Sequence, residues 1–117
     1  MSTNNTHVVV DVDVATARQM VSEGAVLLDI REPHEWEAGH SPDAVFLPLA
    51  WISDAQASIP AGTRVVVTCR SGNRSRVGTE VLLAHGYEAF NLAGGMQAWV
   101  DAGETLVDMH GNQGAVV

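Results

Sequence analysis

Short apolar runs and segments of helical period take turns along the chain. Residues 7–14, HVVVDVDV, predict a half-buried strand, and ATARQMVSEG (15–24) predicts a helix that carries Ala17, Met20 and Val21 and stops at Gly24. The run AVLLDI (25–30) reads as a strand covered on both faces, closed by Asp29. EPHEWEAGH (32–40) reads as a brief helix with Pro33 in its first turn and Gly39 at its end. AVFLPL (44–49) is a strand cut short by Pro48, and AWISDAQASI (50–59) is a weak helix. VVVTC (65–69) is the clearest strand of the chain. SRVGTEVLLAHG (75–86) predicts a helix with Val77, Val81 and Ala84 on one face. YEAFNLAGG (87–95) gives a strand and turn, and MQAWVDAG (96–103) a last helix.

Five strand–helix alternations predict an α/β domain: a central parallel five-stranded sheet with helices on both faces. No repeat and no interdomain linker interrupts residues 7–103. Residues 1–6 read as a flexible N-terminus. The stretch 104–117 reads as a tail that either frays or adds an edge element.

Composition narrows the function classes. The 117 residues suit one core, and the formal charge is −8 from fourteen acidic and six basic residues. All six basic residues are arginine. An acidic chain with no basic face argues against nucleic acid and anionic membranes as partners. No signal peptide and no membrane-spanning run is visible, so a cytoplasmic protein with a reduced thiol is expected. Cys69 is the only cysteine, which excludes an internal disulfide and a paired-cysteine metal or redox motif.

That cysteine changes the picture. It sits where the clearest strand ends, and the residues that follow are Arg70, Ser71, Gly72, Asn73, Arg74, Ser75 and Arg76. Ligands of parallel sheets bind outside the carboxyl ends of the strands. A loop curling back at Gly72 would point successive backbone N–H groups at the sulfur and form an anion-binding nest. The helix beginning near Ser75 adds its positive dipole end, and Arg70 and Arg74 add full charges. All of these favour thiolate over thiol, so a depressed Cys69 pKa is expected. A lone cysteine is otherwise a small buried hydrophobe. The order strand, Cys, polar glycine loop, helix is what favours the nucleophile.

The segment CRSGNRS resembles the active-site loop of rhodanese-domain sulfurtransferases. LLDIREPHEWEAGHSPDAVFLPL is similar to that family's first signature, and NLAGGMQAWVDAG to its C-terminal Gly-Gly-x-x-x-Trp signature. The likeness runs from about His7 to Gly103. GHSPDA departs from the usual Gly-His-Ile-Pro-Gly-Ala at Ser41 and Asp43. The resemblance implies a thiosulfate sulfurtransferase in which Cys69 takes sulfane sulfur from a small anionic donor as a persulfide. Cyanide, a thiol or a protein acceptor then removes it. Cys69 is the catalytic residue in this reading, with residues 70–75 binding the donor; no cofactor and no metal is implied. A persulfide carrier working with a protein partner uses the same cysteine. Cysteine phosphatases of this fold are the remaining alternative, but their loop has five residues between Cys and Arg, whereas four separate Cys69 from Arg74.

Asp29 and Arg31 are supporting candidates. An ion pair from Asp29 to a loop arginine and a simple strand-end cap both fit its position. Arg31 reads as a partner of Glu32 or Glu35. His34 and His40 lack the neighbours of a metal site, and His40 reads as a structural hydrogen-bonding residue. Trp36 and Trp99 read as core, Trp51 and Met96 as residues near the pocket mouth, and Asp11 and Asp13 as the solvated face of an edge strand.

Overall fold

The computed structural model describes residues 8–117; the expected flexible segment 1–6, and His7 of the first expected strand, lie outside the described residues. The strands are Asp11–Val12 (β1), Val26–Asp29 (β2), Ala44–Phe46 (β3), Arg64–Thr68 (β4) and Glu88–Leu92 (β5). They form one sheet in the order β1-β5-β4-β2-β3, with every pairing parallel. Helices α1 (Val14–Ser22), α2 (Pro33–Ala38) and α3 (Asn73–Ala84) and a 3₁₀ segment, Leu49–Ala57, lie in the crossovers, and α4 (Gly95–Asp101) follows the last strand.

Alternation along the central strands builds two cores. Leu27 and Val66 pack with Ala17 and Met20 of α1 and Met96 and Trp99 of α4. Leu28, Val65 and Val67 point the other way, to Leu82 of α3 and Ile52 and Ala55 of the 3₁₀ segment. A period of two, apolar on both faces, is what a central parallel strand requires. Hence β4, with Val65, Val66 and Val67 fully buried, is packed on both faces where it hands the chain to Cys69.

Several expectations need correcting. The first strand is two residues long rather than eight, because Asp13 leaves it to cap α1: its carboxylate accepts from the Thr16 N–H at 2.8 Å. Asp13 is therefore a helix cap, not an edge-strand face. Helix α3 begins at Asn73, two residues before Ser75, and Val77 is exposed. Its buried face is made of Ser75, Gly78, Thr79 and Leu82 instead. Small residues let α3 approach the sheet closely; a Cβ on Gly78 would come within 3.3 Å of Ile30 Cδ1. The Thr79 hydroxyl is satisfied by the Ser75 carbonyl at 2.7 Å. Trp99 is core, but Trp36 is only partly buried: it stacks on His40 at 3.7 Å between ring centroids and on Phe46 at 4.9 Å. His40 donates its Nδ1–H to the Trp36 carbonyl at 2.6 Å.

The tail folds back over the domain. Val107 makes antiparallel bridges to His40 and Gln113, and Leu106 is buried with α1 and α4.

Candidate active site

Cys69 follows the last residue of β4, between β5 and β2, at the carboxyl end of the sheet's centre. Its sulfur is buried, with the residue 1% exposed, while Arg70, Ser71 and Asn73 around it are exposed. Gly72 turns the chain back in a left-handed conformation, φ 105°, which a side chain disfavours. That turn aims the Gly72 N–H at Sγ, 3.1 Å away, and the first turn of α3 brings Ser75 Oγ to 3.3 Å. The result is a socket around Sγ, lined by the Gly72 N–H and the Ser75 hydroxyl. Burial pushes the Cys69 thiol up, but the Ser75 hydroxyl and the backbone N–H groups of Ser75, Gly72 and Ser71 outweigh it, and the net displacement is downward.

The loop is held from behind by α4. The Met96 N–H donates to the Cys69 carbonyl at 2.8 Å and the Gln97 N–H to the Arg70 carbonyl at 3.1 Å. These are N–H groups of a helix N-terminus that have no partner inside the helix. The approach requires Gly95, since a Cβ there would stand 2.5 Å from the Cys69 carbonyl oxygen. Gly94, in a left-handed conformation with φ 77°, has a separate restriction, since a Cβ there would stand 2.7 Å from Ala98 Cβ. Met96 itself is fully buried at the base of the loop, and Trp51 is exposed.

The arginines are more committed than the sequence suggests. Arg74 donates through both terminal nitrogens to Glu35 of α2, at 2.7 and 2.8 Å. Glu35 is almost fully buried, and the Arg74 hydrogen bonds are the main reason its carboxyl falls to about 2. Arg74 is raised in turn, chiefly by Glu35, and Cys69 adds to that effect. Arg76 pairs with Asp11, and Arg70 Nε donates to the Val117 carbonyl at 3.0 Å. The three arginines of the segment thus all have partners.

For Asp29 the strand-end cap is present, since its Oδ1 accepts from the Arg31 backbone N–H at 3.2 Å, but the ion-pair partners of Asp29 and Arg31 differ from expectation. Asp29 does not reach a loop arginine, and Arg31 takes neither Glu32 nor Glu35. They bind each other, Nε to Oδ1 at 2.8 Å and a terminal nitrogen to Oδ2 at 2.7 Å, and both are fully buried. The reason is local: β2 ends at Asp29, the chain folds back, and the Arg31 terminal nitrogen also donates to the Gly39 carbonyl at 2.7 Å. Since Asp29 lies opposite Thr68 in the parallel register, this pair supports the floor beside Cys69 rather than its opening.

Sequence reasoning did not place two residues at the site: Glu35, considered only as a partner for Arg31, and Asn91. Glu35 carried a signal in its place three residues after Glu32, whose backbone N–H it accepts at 3.0 Å. Asn91 is a lone polar residue in the β5 run, 2% exposed, and a buried amide demands partners. It accepts from the Ser75 hydroxyl at 2.5 Å and donates to Asp11 Oδ1 at 3.0 Å. Among the described residues, no three His, Cys, Asp or Glu side chains gather as a cation site.

Comparison with known proteins agrees with this geometry. Residues 13–102 match the family described as Rhodanese-like domain. A protein named Sulfurtransferase from Allochromatium vinosum is 37% identical over 103 residues, covering 87% of this chain and 96% of that protein. A rhodanese-like domain protein from Staphylococcus aureus superposes with a TM-score of 0.70 at 28% identity, over 77% of this chain and 90% of that one. The thiosulfate sulfurtransferase of Pseudomonas aeruginosa gives a TM-score of 0.76 at 26% identity, over 93% of this chain but 22% of its own length. The chain belongs to the rhodanese-like domain family.

Proposed function

We propose that the protein is a sulfurtransferase that carries sulfane sulfur as a persulfide on Cys69, with thiosulfate as a donor. The observation that carries this reading is the socket itself: a buried sulfur that receives the Gly72 N–H and faces Ser75 Oγ, at the foot of an exposed polar loop. In the first half-reaction the Cys69 thiolate attacks the outer sulfur of thiosulfate. The S–S bond of the donor breaks, its electron pair leaves with sulfite, and the negative charge of the thiolate reappears on the outer sulfur of the persulfide. In the second, cyanide or a thiolate attacks that outer sulfur and the Cys69 thiolate returns. The loop amides stabilise the outer sulfur as an oxyanion hole does an oxygen. No residue need act as an acid, because sulfite leaves without a proton.

The test is thiocyanate formation from thiosulfate and cyanide. Turnover that disappears in Cys69→Ser supports the reading, and turnover retained in that variant removes it. A second reading, a carrier loaded by a protein partner, is favoured by one observation. Arg74, the guanidinium at the loop, is already neutralised by Glu35, so less positive charge is left to capture a free dianion. A Cys69 persulfide formed from a persulfide donor, without turnover on thiosulfate, would select it. Hydrolysis of p-nitrophenyl phosphate would contradict both readings.

A further inference from the structure

The Ser75 hydroxyl has one proton and two neighbours that want it. Ser75 Oγ stands 2.5 Å from Asn91 Oδ1 and 3.3 Å from Cys69 Sγ. With a neutral thiol there is no conflict: the S–H donates to Ser75 and the Ser75 O–H donates to Asn91. Asn91 cannot turn its amide round to suit another arrangement. Its Nδ2 donates to Asp11 Oδ1, a carboxylate oxygen that only accepts. Asp11 is held in turn by the Arg76 guanidinium, 2.9 Å from both of its oxygens. Ser75 is fully buried and Asn91 is 2% exposed, so bulk water does not compete for the hydroxyl.

Ionisation of Cys69 breaks this arrangement. A thiolate has no proton to donate and needs donors. The hydroxyl must then rotate to the sulfur and leave Asn91 Oδ1 without its partner, or stay and face the anion with a lone pair. We propose that Asn91 is a positioning residue that gives the Ser75 proton a second seat, so that the hydroxyl turns to Sγ in the empty thiolate and returns to Asn91 once Cys69 is loaded.

The return follows from where the charge goes, and this part rests on the persulfide reading. Thiolate and thiosulfate dianion become persulfide anion and sulfite dianion, so three negative charges stand on each side. In the product the charge lies on the outer sulfur, and Sγ, neutral and bonded to carbon and sulfur, is a weak acceptor. Asn91 then recovers its hydrogen bond. It therefore penalises the empty thiolate and favours the loaded state, although it touches no reacting atom. The charged groups around the socket are Arg74 with Glu35 from α2, Arg70 on the loop, the Asp29–Arg31 pair beside β4, and Asp11 with Arg76 at the far end of the chain of bonds. A change at the neutral Asn91 alters no charge; it removes one hydrogen bond to Asp11, whose carboxylate keeps the Arg76 guanidinium on both oxygens.

The experiment is a double-mutant cycle read by the pH dependence of Cys69 alkylation with iodoacetamide, in the unmodified protein, Asn91→Leu, Ser75→Ala and the double variant. Releasing the hydroxyl is the loss of a neutral hydrogen-bond competitor, so Asn91→Leu is expected to lower the alkylation midpoint by about half to one pH unit, a gain in rate of roughly three- to tenfold on the acid side. Ser75→Ala is expected to raise the midpoint, and Asn91→Leu to add nothing in the Ser75→Ala background. A midpoint that is unchanged or higher in Asn91→Leu, or an equal shift with and without Ser75, overturns the proposal. If the leucine variant does not fold, Asn91→Val, β-branched and suited to a strand, is read in the same way. The fraction of Cys69 persulfide at equilibrium with thiosulfate and sulfite should fall in Asn91→Leu. A protein that forms no persulfide at all would refute the sulfur-transfer reading, while the alkylation cycle still decides whether Asn91 seats the hydroxyl.

Discussion

Glu35 of α2 and Arg74 of the cysteine loop meet in a two-pronged ion pair, at 2.7 and 2.8 Å, across thirty-nine residues of sequence. The carboxylate is buried and the guanidinium is about one third exposed. The pair joins α2 to the first turn of α3. It also fixes how much charge the socket shows to solvent.

This pair makes acid a denaturant. Glu35 ordinarily titrates at 4.5 and is held at about 2, so the folded state prefers it ionised. A lowered carboxylate contributes stability that is full above 4.5 and disappears as the pH falls toward 2. Urea midpoints measured from pH 6 to pH 2.5 should fall over that interval. The fall should be shallower in Glu35→Gln, and an identical slope in the two proteins would contradict the assignment.

Arg74→Ala should harm the fold as well as turnover. It strands a buried carboxylate, a loss of about 3–5 kcal/mol when one partner of a fully buried pair is removed, reduced to about 2–4 kcal/mol here because Arg74 is partly solvated. Glu35→Gln added to Arg74→Ala should recover part of the stability. The measurement is a pair of denaturation curves; if the double variant is less stable than Arg74→Ala alone, the two residues are not coupled in this way. Activity lost in Arg74→Ala therefore has to be compared at equal folded fraction.

How much of this was legible in the chain follows from the range of each signal. Strand β4, the loop and the glycine stops are local, and periodicity and turn chemistry announce them. The ion pairs are not local. Arg31 has Asp29, Glu32 and Glu35 within four residues, and only the fold-back after β2 and the position of the cysteine loop decide that Asp29 takes Arg31 while Glu35 is left for Arg74. Val77 was misplaced because α3 buries small and hydroxyl residues, a face that apolar periodicity does not mark.

Gly95→Ala should be far more damaging than an alanine at another left-handed glycine. The new methyl would overlap the Cys69 carbonyl at 2.5 Å, whereas Gly24, φ 106°, has nothing within 4 Å of the same position. Gly24→Ala should cost about 1 kcal/mol of backbone strain. Gly95→Ala should cost more and should also reduce alkylation and turnover, because the socket must shift. Thermal melts and alkylation rates on both variants check this, and equal losses would contradict the close packing of α4 on the loop.

Asp29→Ala should be among the most destabilising substitutions in the domain. It leaves a fully buried guanidinium without its carboxylate, which amounts to about 3–5 kcal/mol. Expression and chemical denaturation measure this directly. A variant of near-native stability would mean that the Gly39 carbonyl is enough for Arg31.

The bonds from Met96 and Gln97 to the carbonyls of Cys69 and Arg70 carry a consequence for biosynthesis. The cysteine leaves the ribosome well before the helix that braces its loop. A nascent chain that ends at β5 already holds its thiol but not the rear wall of the socket. The donors that favour the thiolate are therefore made before the brace behind them, and the last strand–helix unit supplies only the two N–H groups that hold the loop carbonyls from the rear.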